Sequence, residues 1–289
     1  MRFDFPPEFD PAFYRQAHAD LAGFDDTWLR GHYDRHGRAE GRIASAGAGR
    51  SAFVPLFRGH RPALEIGPFN KPVLTGAGVR YFDVMDRAAL IARASEIGQA
   101  ADKVPYIDFV SPTADLSVVT GKFALVLSSH AIEHQPDLID HLTKVAAMLA
   151  PGGVYAVIVP DCRYCFDHYL PPSHAGAVIE AHMERRTLHS LSSVIEHRAL
   201  TTHNDTARHW AGDHGATPPR GGAGQVVAAI AEWQASAGRY LDVHAWQFTP
   251  DSFRHLMGLL HATGHSPLRP LRVYDTNFGA NEFCAILGA

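Results

Sequence analysis

Residues able to do chemistry fall into two groups along the chain. The first is acidic, with spacings that suit a nucleoside. Glu65 sits in the short apolar run Ala63-Leu64-Glu65-Ile66, which Gly67-Pro68 ends abruptly. A glycine there lets backbone come close to a ligand, and the carboxylate can accept hydrogen bonds. A full G-x-G-x-x-G is absent, so the weight falls on the carboxylates further along the chain. Asp83 closes a second strand signal, Arg80-Tyr81-Phe82, where a carboxylate can accept from both hydroxyls of a ribose. Asp86, three residues on, could do the same, and Asp83 could instead cap the next helix. Asp115-Leu116 precedes a third apolar run, Phe123 to Leu127, and Asp115 could also be an ordinary loop aspartate.

The second group is rich in imidazole. Ser128-Ser129-His130-Ala131-Ile132-Glu133-His134 follows the Phe123–Leu127 run, at the edge where open α/β sheets bind ligands. Either His130 or His134 could be a general base, since imidazole titrates near pH 6.5, or the pair could serve packing. Asp161 to Tyr169 follows the next strand and mixes acids, Arg163, the phenol of Tyr164 and the imidazole of His168. Cys162-x-x-Cys165 with His168 invites a zinc reading, but a lone C-x-x-C without a second pair does not build a closed site. No metal is therefore expected. Eight of the nineteen histidines lie between residues 168 and 214. His174, His182, His189 and His197 recur at helical spacing and predict one stripe along a helix. Ligands two turns apart lie on the order of 11 Å apart, so such a stripe cannot converge on one ion.

The elements that must position these groups can be read from pattern. Residues 1–43 form a helical module, with aromatics about a turn apart in Pro11–Tyr14 and Trp28–Tyr33 and a break at Gly23. Residues 44–50 are Ser/Ala/Gly-rich and read as a linker. The main domain spans 51–289. Pro68-Phe69-Asn70-Lys71-Pro72 replaces the usual glycine-rich turn, and its two prolines predict a stiff loop followed by a short helix or none. Asp137 to Ala150 has helical periodicity, with Leu138, Leu142, Val145 and Leu149 on its buried side, and Pro151-Gly152-Gly153 stops it. Val154 to Val159 is apolar throughout, as a central parallel strand should be. Residues from about 161 to 240 interrupt the pattern as an insertion. Within it, Thr217 to Gly224 reads as a lid, and Val226 to Tyr240 as a helix. His244 to Phe248 reads as a strand, Thr249-Pro250-Asp251-Ser252 opens a helix, and Leu271–Tyr274 with Asn281–Leu287 make a terminal strand pair.

Residues 62 to 161 resemble the core of S-adenosylmethionine-dependent methyltransferases with a Rossmann-like sheet. Glu65-Ile66-Gly67-Pro68 and the Ser-His-x-x-Glu-His of residues 129–134 resemble a bacterial branch associated with glycans and cell surfaces. Val159–Asp167 and Trp246–Phe253 resemble it more loosely, and the end of the helical module resembles a short repeat found beside bacterial polysaccharide enzymes. The resemblance implies a seven-stranded α/β domain whose last strand pair is antiparallel to the rest. It also implies S-adenosylmethionine as cofactor. The cofactor residues are then Glu65, Gly67, Pro68, Asn70, Asp83 with Asp86 as alternative, Asp115, Leu116, Ser128, Ser129 and His130. In the resembling family the carboxylate at Asp115 meets the adenine amino group, and the next backbone amide a ring nitrogen. His134, Asp161, Tyr164 and His168 become the catalytic candidates. The expected reaction is methyl transfer to an oxygen or nitrogen of a small or glycan-linked acceptor. Two alternatives stay open: another reaction of the same cofactor, such as intramolecular cyclisation, or a non-catalytic module in polysaccharide assembly. Residues 8–43 could dock a protein partner in either case.

Composition sets outer bounds. At 289 residues, 46% hydrophobic and with a formal charge of −4, the chain can bury a large core and offers no broad basic surface for nucleic acid. No run reaches the length of a membrane span, and the polar start is not a secretory signal. Three cysteines make no disulfide framework, so a cytoplasmic setting is expected.

Overall fold

The computed structural model describes residues 4–218 and 221–289. Seven strands form one sheet: β1 (Ala63–Ile66), β2 (Val79–Asp83), β3 (Phe109–Val110), β4 (Phe123–Ser129), β5 (Leu149–Pro160), β6 (Arg269–Tyr274) and β7 (Glu282–Gly288). Their order across the sheet is β3-β2-β1-β4-β5-β7-β6. The strands from β3 through β5 pair in parallel, and β7 runs antiparallel to both β5 and β6. This is a Rossmann-like α/β sheet. One detail departs from expectation: only β7 is reversed, because β6 enters from a helix and so runs in the common direction.

Side-chain alternation separates two apolar layers. Leu64, Ile66, Val126, Tyr155, Val157 and Val159 face helices α5 (Leu138–Met148), α6 (Ala175–Met183) and α10 (Pro250–Ala262). Ala63, Leu125, Leu127, Ala156 and Ile158 face the other way, onto Phe53 and Phe57 of α3 (Arg50–Phe53) and the turn after it. No helix stands between β1 and β2. The loop between them carries Leu74 into the second layer, and α4 (Arg87–Glu96) packs beside β2.

Three further expectations are corrected. Leu149 and the Pro-Gly-Gly after it belong to β5, whose register slips between Phe123 and Leu125, so α5 ends at Met148. The histidine stripe is divided: His174 caps α6, His189 lies in a loop, and His197 rides on α7 (Leu191–Ala199). The segment 244–248 is no strand. Its backbone bonds instead to loops, Ala245 and Trp246 to the Glu133 carbonyl and Gln247 to Ser173, with a single bridge from Phe248 to Asp161. The insertion continues with α8 (Thr206–Trp210) and α9 (Ala223–Ser236); Pro219 and Arg220 of the expected lid lie outside the described residues.

The first helices, α1 (Pro11–Ala17) and α2 (Asp26–His32), pack around Tyr14, Leu21, Leu29 and Tyr33. The Tyr33 hydroxyl donates to Asp275 at 2.6 Å, and Glu8 accepts from the Val273 amide and Arg254. The 44–50 stretch is closely packed, and a Cβ on Gly47 would come within 2.5 Å of the Tyr274 ring. Among the described residues, no helix is long and apolar enough to cross a membrane.

Candidate functional site

The carboxyl ends of β1, β2 and β4 open onto one edge. Gly67 takes φ +70° there, and a Cβ on it would meet Ala131 at 3.5 Å, so the loops after β1 and β4 face each other. Three non-glycine residues in the loops of this edge also hold positive φ: Phe69 (43°), Ala114 (57°) and His130 (50°). Such backbone costs on the order of 1 kcal/mol or more per residue and tends to gather where a ligand is shaped for.

Asp83 and Asp86 divide the two roles weighed for them. Asp86 caps α4 through the Ala89 amide. Asp83 is buried and turns toward the β1 loop, accepting from Phe69 N at 3.3 Å and Val84 N at 2.7 Å. Burial raises its pKa, against the pull of those amides. Glu65 is engaged inside the protein: it accepts from the amides of Val73 and Leu74 and so pins the helix-free loop. Burial pushes it up to about 7. Asn70 likewise donates to Gln99 and the Ala100 carbonyl, while Pro68 remains in the loop. Asp115 is held well below the usual carboxylate range by Lys144, 2.8 Å away, and by Ser117. It borders a cavity of about 330 Å³, with Ala114, Leu116, Gln135 and Lys144.

After β4 the sequence candidates separate. Ser128 points into the core, bonded to the Tyr155 hydroxyl at 2.7 Å, and His141 bonds that hydroxyl from the other side at 2.8 Å. Ser129 accepts from Arg50, which also pairs with Glu282 through two bonds. His130 joins Glu282 at 2.8 Å.

A second assembly surrounds Glu133, which is 0% exposed and has neither carboxylate oxygen hydrogen-bonded. His134 Nε2 and His244 Nε2 each lie 3.8 Å from its Oε1, and His130 Nδ1 lies 3.9 Å from it. Each imidazole has its other nitrogen against a different carboxylate: His134 on Asp242 at 2.9 Å, His244 on Asp167 at 2.6 Å, and His130 on Glu282. Burial pulls His134 down, but Asp242 and Glu133 outweigh it and its pKa is raised. Burial lowers His244 to about 4 and lifts Asp167 to about 7. Sequence reasoning offered His130 and His134 here and missed Glu133, Asp167, Asp242 and the place of His244 beside them. The doublets Glu133-His134 and Asp242-x-His244 were the available signal for the rest.

Asp161, Tyr164 and His168 lie elsewhere. The Asp161 carboxylate is 0% exposed, holds Arg163 through two nitrogens and accepts from Thr276 at 2.6 Å. Tyr164 stacks on Trp210 at 3.9 Å, and His168 stacks on His214 at 3.6 Å while its Nδ1 meets the Arg163 carbonyl. These contacts fasten the insertion to β5. Cys162 and Cys165 are buried, their thiols pushed up by desolvation, and they join no metal-competent group among the described residues.

A cavity of about 310 Å³ opens within the insertion, lined by Ser173, His189, Glu196, Trp246 and Gln247 among others. Both His189 ring nitrogens and the Gln247 amide nitrogen are buried without hydrogen-bond partners. Another cavity, of about 570 Å³, lies at the opposite edge of the sheet beside Gly152, Gly153 and Gly288, away from this chemistry.

No protein-family model matches the chain, and no curated protein matches it. Among solved structures, the chain is similar to the CcbJ methyltransferase of Streptomyces caelestis, at 12% identity over 83% of this chain and 93% of that one, with a TM-score of 0.41. It is similar also to an S-adenosylmethionine-dependent methyltransferase of Clostridium acetobutylicum, at 9% identity over 90% and 97%, TM-score 0.41. A third is DhpI in complex with SAH, at 13% identity over 96% and 93%, TM-score 0.36. Likenesses this slight bear no weight on function, and the fold stands on its own sheet order.

Proposed function

We propose that this protein transfers a methyl group from S-adenosylmethionine to an oxygen or nitrogen of a small or glycan-linked acceptor. The observation that carries the reading is the meeting of the Gly67 loop, the buried Asp83 carboxylate and the strained turns at Phe69, Ala114 and His130 along one sheet edge. The residues suit the cofactor on this side. Asp83 keeps lone pairs for ribose hydroxyls, Gly67 leaves room for backbone approach, and the 114–116 turn borders a cavity of about 330 Å³.

The sulfonium of the cofactor supplies an already activated methyl. What remains for the protein is to align the acceptor, exclude water and take one proton. Asp161 is a poor base, being committed to Arg163 and Thr276. The Glu133, His134 and His244 group is better suited, having a buried carboxylate without a hydrogen bond. The 310 Å³ cavity suits a polar acceptor, since His189 and Gln247 offer groups that nothing in the protein satisfies.

Calorimetry with S-adenosylmethionine and S-adenosylhomocysteine tests the cofactor. Mass spectrometry after incubation with candidate acceptors tests the reaction. A methylated acceptor supports methyl transfer, a rearranged cofactor points to cyclisation, and binding without turnover points to a non-catalytic module.

A further inference from the structure

Glu133 poses a physical problem. A carboxylate shut away from water without a hydrogen bond costs several kcal/mol, so native proteins pair such groups or neutralise them. Here three imidazoles stand at 3.8, 3.8 and 3.9 Å, beyond hydrogen-bond reach. That spacing suits two atoms bound to a common ion. Ligands about 2.0–2.1 Å from one zinc can stand at most about 4.2 Å apart. Both Glu133–histidine distances lie inside that limit, and the ligand atoms of Glu133, His134 and His244 all lie within 4.8 Å of one another, so the two imidazoles need to close by no more than about 0.6 Å to share an ion.

The outer contacts point the same way. Asp167 bonds His244 Nδ1 at 2.6 Å, which turns that ring's Nε2 lone pair toward Glu133, and Asp242 stands 2.9 Å from His134 Nδ1 without the geometry of a hydrogen bond. A carboxylate behind each imidazole is the usual support of a metal-binding histidine. The other histidine groups lack this character. In the group of His168, His209 and His214, His209 bonds His214 through one nitrogen and the His203 carbonyl through the other, while His168 bonds the Arg163 carbonyl. In the group of Asp167, His197 and His244, Asp167 already holds His244 Nδ1 and His197 Nδ1 accepts from the His244 amide.

We propose that Glu133, His134 and His244 bind one divalent transition-metal ion. Two imidazoles and a carboxylate suit zinc and its neighbours rather than calcium or magnesium. Three protein ligands leave a position open for water or a substrate oxygen, as in zinc sites that do chemistry, and with the ion in place the proton would fall to hydroxide at that position rather than to the three side chains. The inference rests on these side chains and stands whether or not methyl transfer is the reaction.

The test is metal uptake by the full chain, stripped with chelator and dialysed against Zn²⁺ or Co²⁺, with metal content measured by elemental analysis. The wild type should retain about one equivalent, with Co²⁺ giving the visible bands of a low-coordinate site. Glu133→Gln and His244→Ala should lose that equivalent, Asp167→Asn should bind about 10–100-fold more weakly, and His168→Ala should be unchanged. Melting of the stripped proteins covers the case of a variant that folds poorly. Glu133→Gln removes a buried carboxylate that has no hydrogen bond and should melt above the stripped wild type, with zinc reversing that order. No retained metal in the wild type overturns the proposal. Retention that survives Glu133→Gln and His244→Ala but is lost in His168→Ala does so as well.

Discussion

The Glu65 carboxylate accepts the Leu74 amide at 2.7 Å, nine residues further along the chain. It also takes the Val73 amide, so one buried side chain replaces the helix that would otherwise lead from β1 to β2. Glutamine at position 65 keeps the shape but offers one acceptor and a competing donor. Glu65→Gln should therefore cost about 1–3 kcal/mol, the penalty for leaving a buried amide unpaired. Urea unfolding measures the loss, and faster proteolysis within residues 67–78 locates it. Unchanged stability would mean that the loop holds itself.

Asp83 and Asp86 should part experimentally as they do in the structure. Asp83→Ala should weaken S-adenosylmethionine binding by roughly 1.5–3 kcal/mol for each charged hydrogen bond lost. Asp86→Ala should cost about 1 kcal/mol of stability through the lost cap and leave affinity unchanged. Calorimetry and thermal melting on both variants decide between them. Reversed outcomes would remove Asp83 from the proposed cofactor site.

Tyr164 tests whether the segment after β5 is structural. Tyr164→Phe keeps the stack on Trp210 and should leave melting almost unchanged. Tyr164→Ala removes the stack and should cost roughly 1–3 kcal/mol. Turnover per folded molecule should be equal in the two variants. A large fall in turnover for Tyr164→Phe alone would return the phenol to the chemistry.

His141 gives a pH dependence with a definite sign. Burial, with Lys144 adding to it, holds its pKa at about 3. An unfolded histidine takes its proton near pH 6.5, so between those values the unfolded chain binds more protons. This contribution is complete above pH 6.5 and falls away as the pH drops, by about 1.4 kcal/mol per unit. His141→Gln should flatten that slope when urea midpoints are compared at pH 7 and pH 5. Parallel slopes would show that His141 is charged in the native state.

Much of the frame was legible in the sequence because strands and helices announce themselves by period. Glu65-Ile66-Gly67-Pro68 marked the end of β1, two prolines foretold the missing helix, and α5 and β5 followed from their apolar patterns. The two-residue β3 is too short to carry a pattern. The direction of β6 depends on which end of the sheet α10 delivers it to, which no local signal states. Side-chain pairing was harder still. Asp167 meets His244 across 77 residues and Glu282 meets His130 across 152, so the surroundings of Glu133 exist only after folding. Asp161 looked reactive because its neighbours are polar, yet those neighbours, Arg163 and Thr276, are what occupy it.

The seating of the first helices on the last strands has a consequence for how the chain is made. Tyr33 and Glu8 leave the ribosome early, but Asp275 and Val273, their partners, emerge some 240 to 265 residues later. β5 likewise lacks its neighbour on one side until β7 is complete. During synthesis the helical pair must wait with its docking face bare, and the nascent sheet carries an open edge at its centre. Sheets closed by such distant segments fold slowly and are exposed to aggregation meanwhile. Shortening the chain before residue 282 would therefore leave a half-built sheet rather than a smaller working domain.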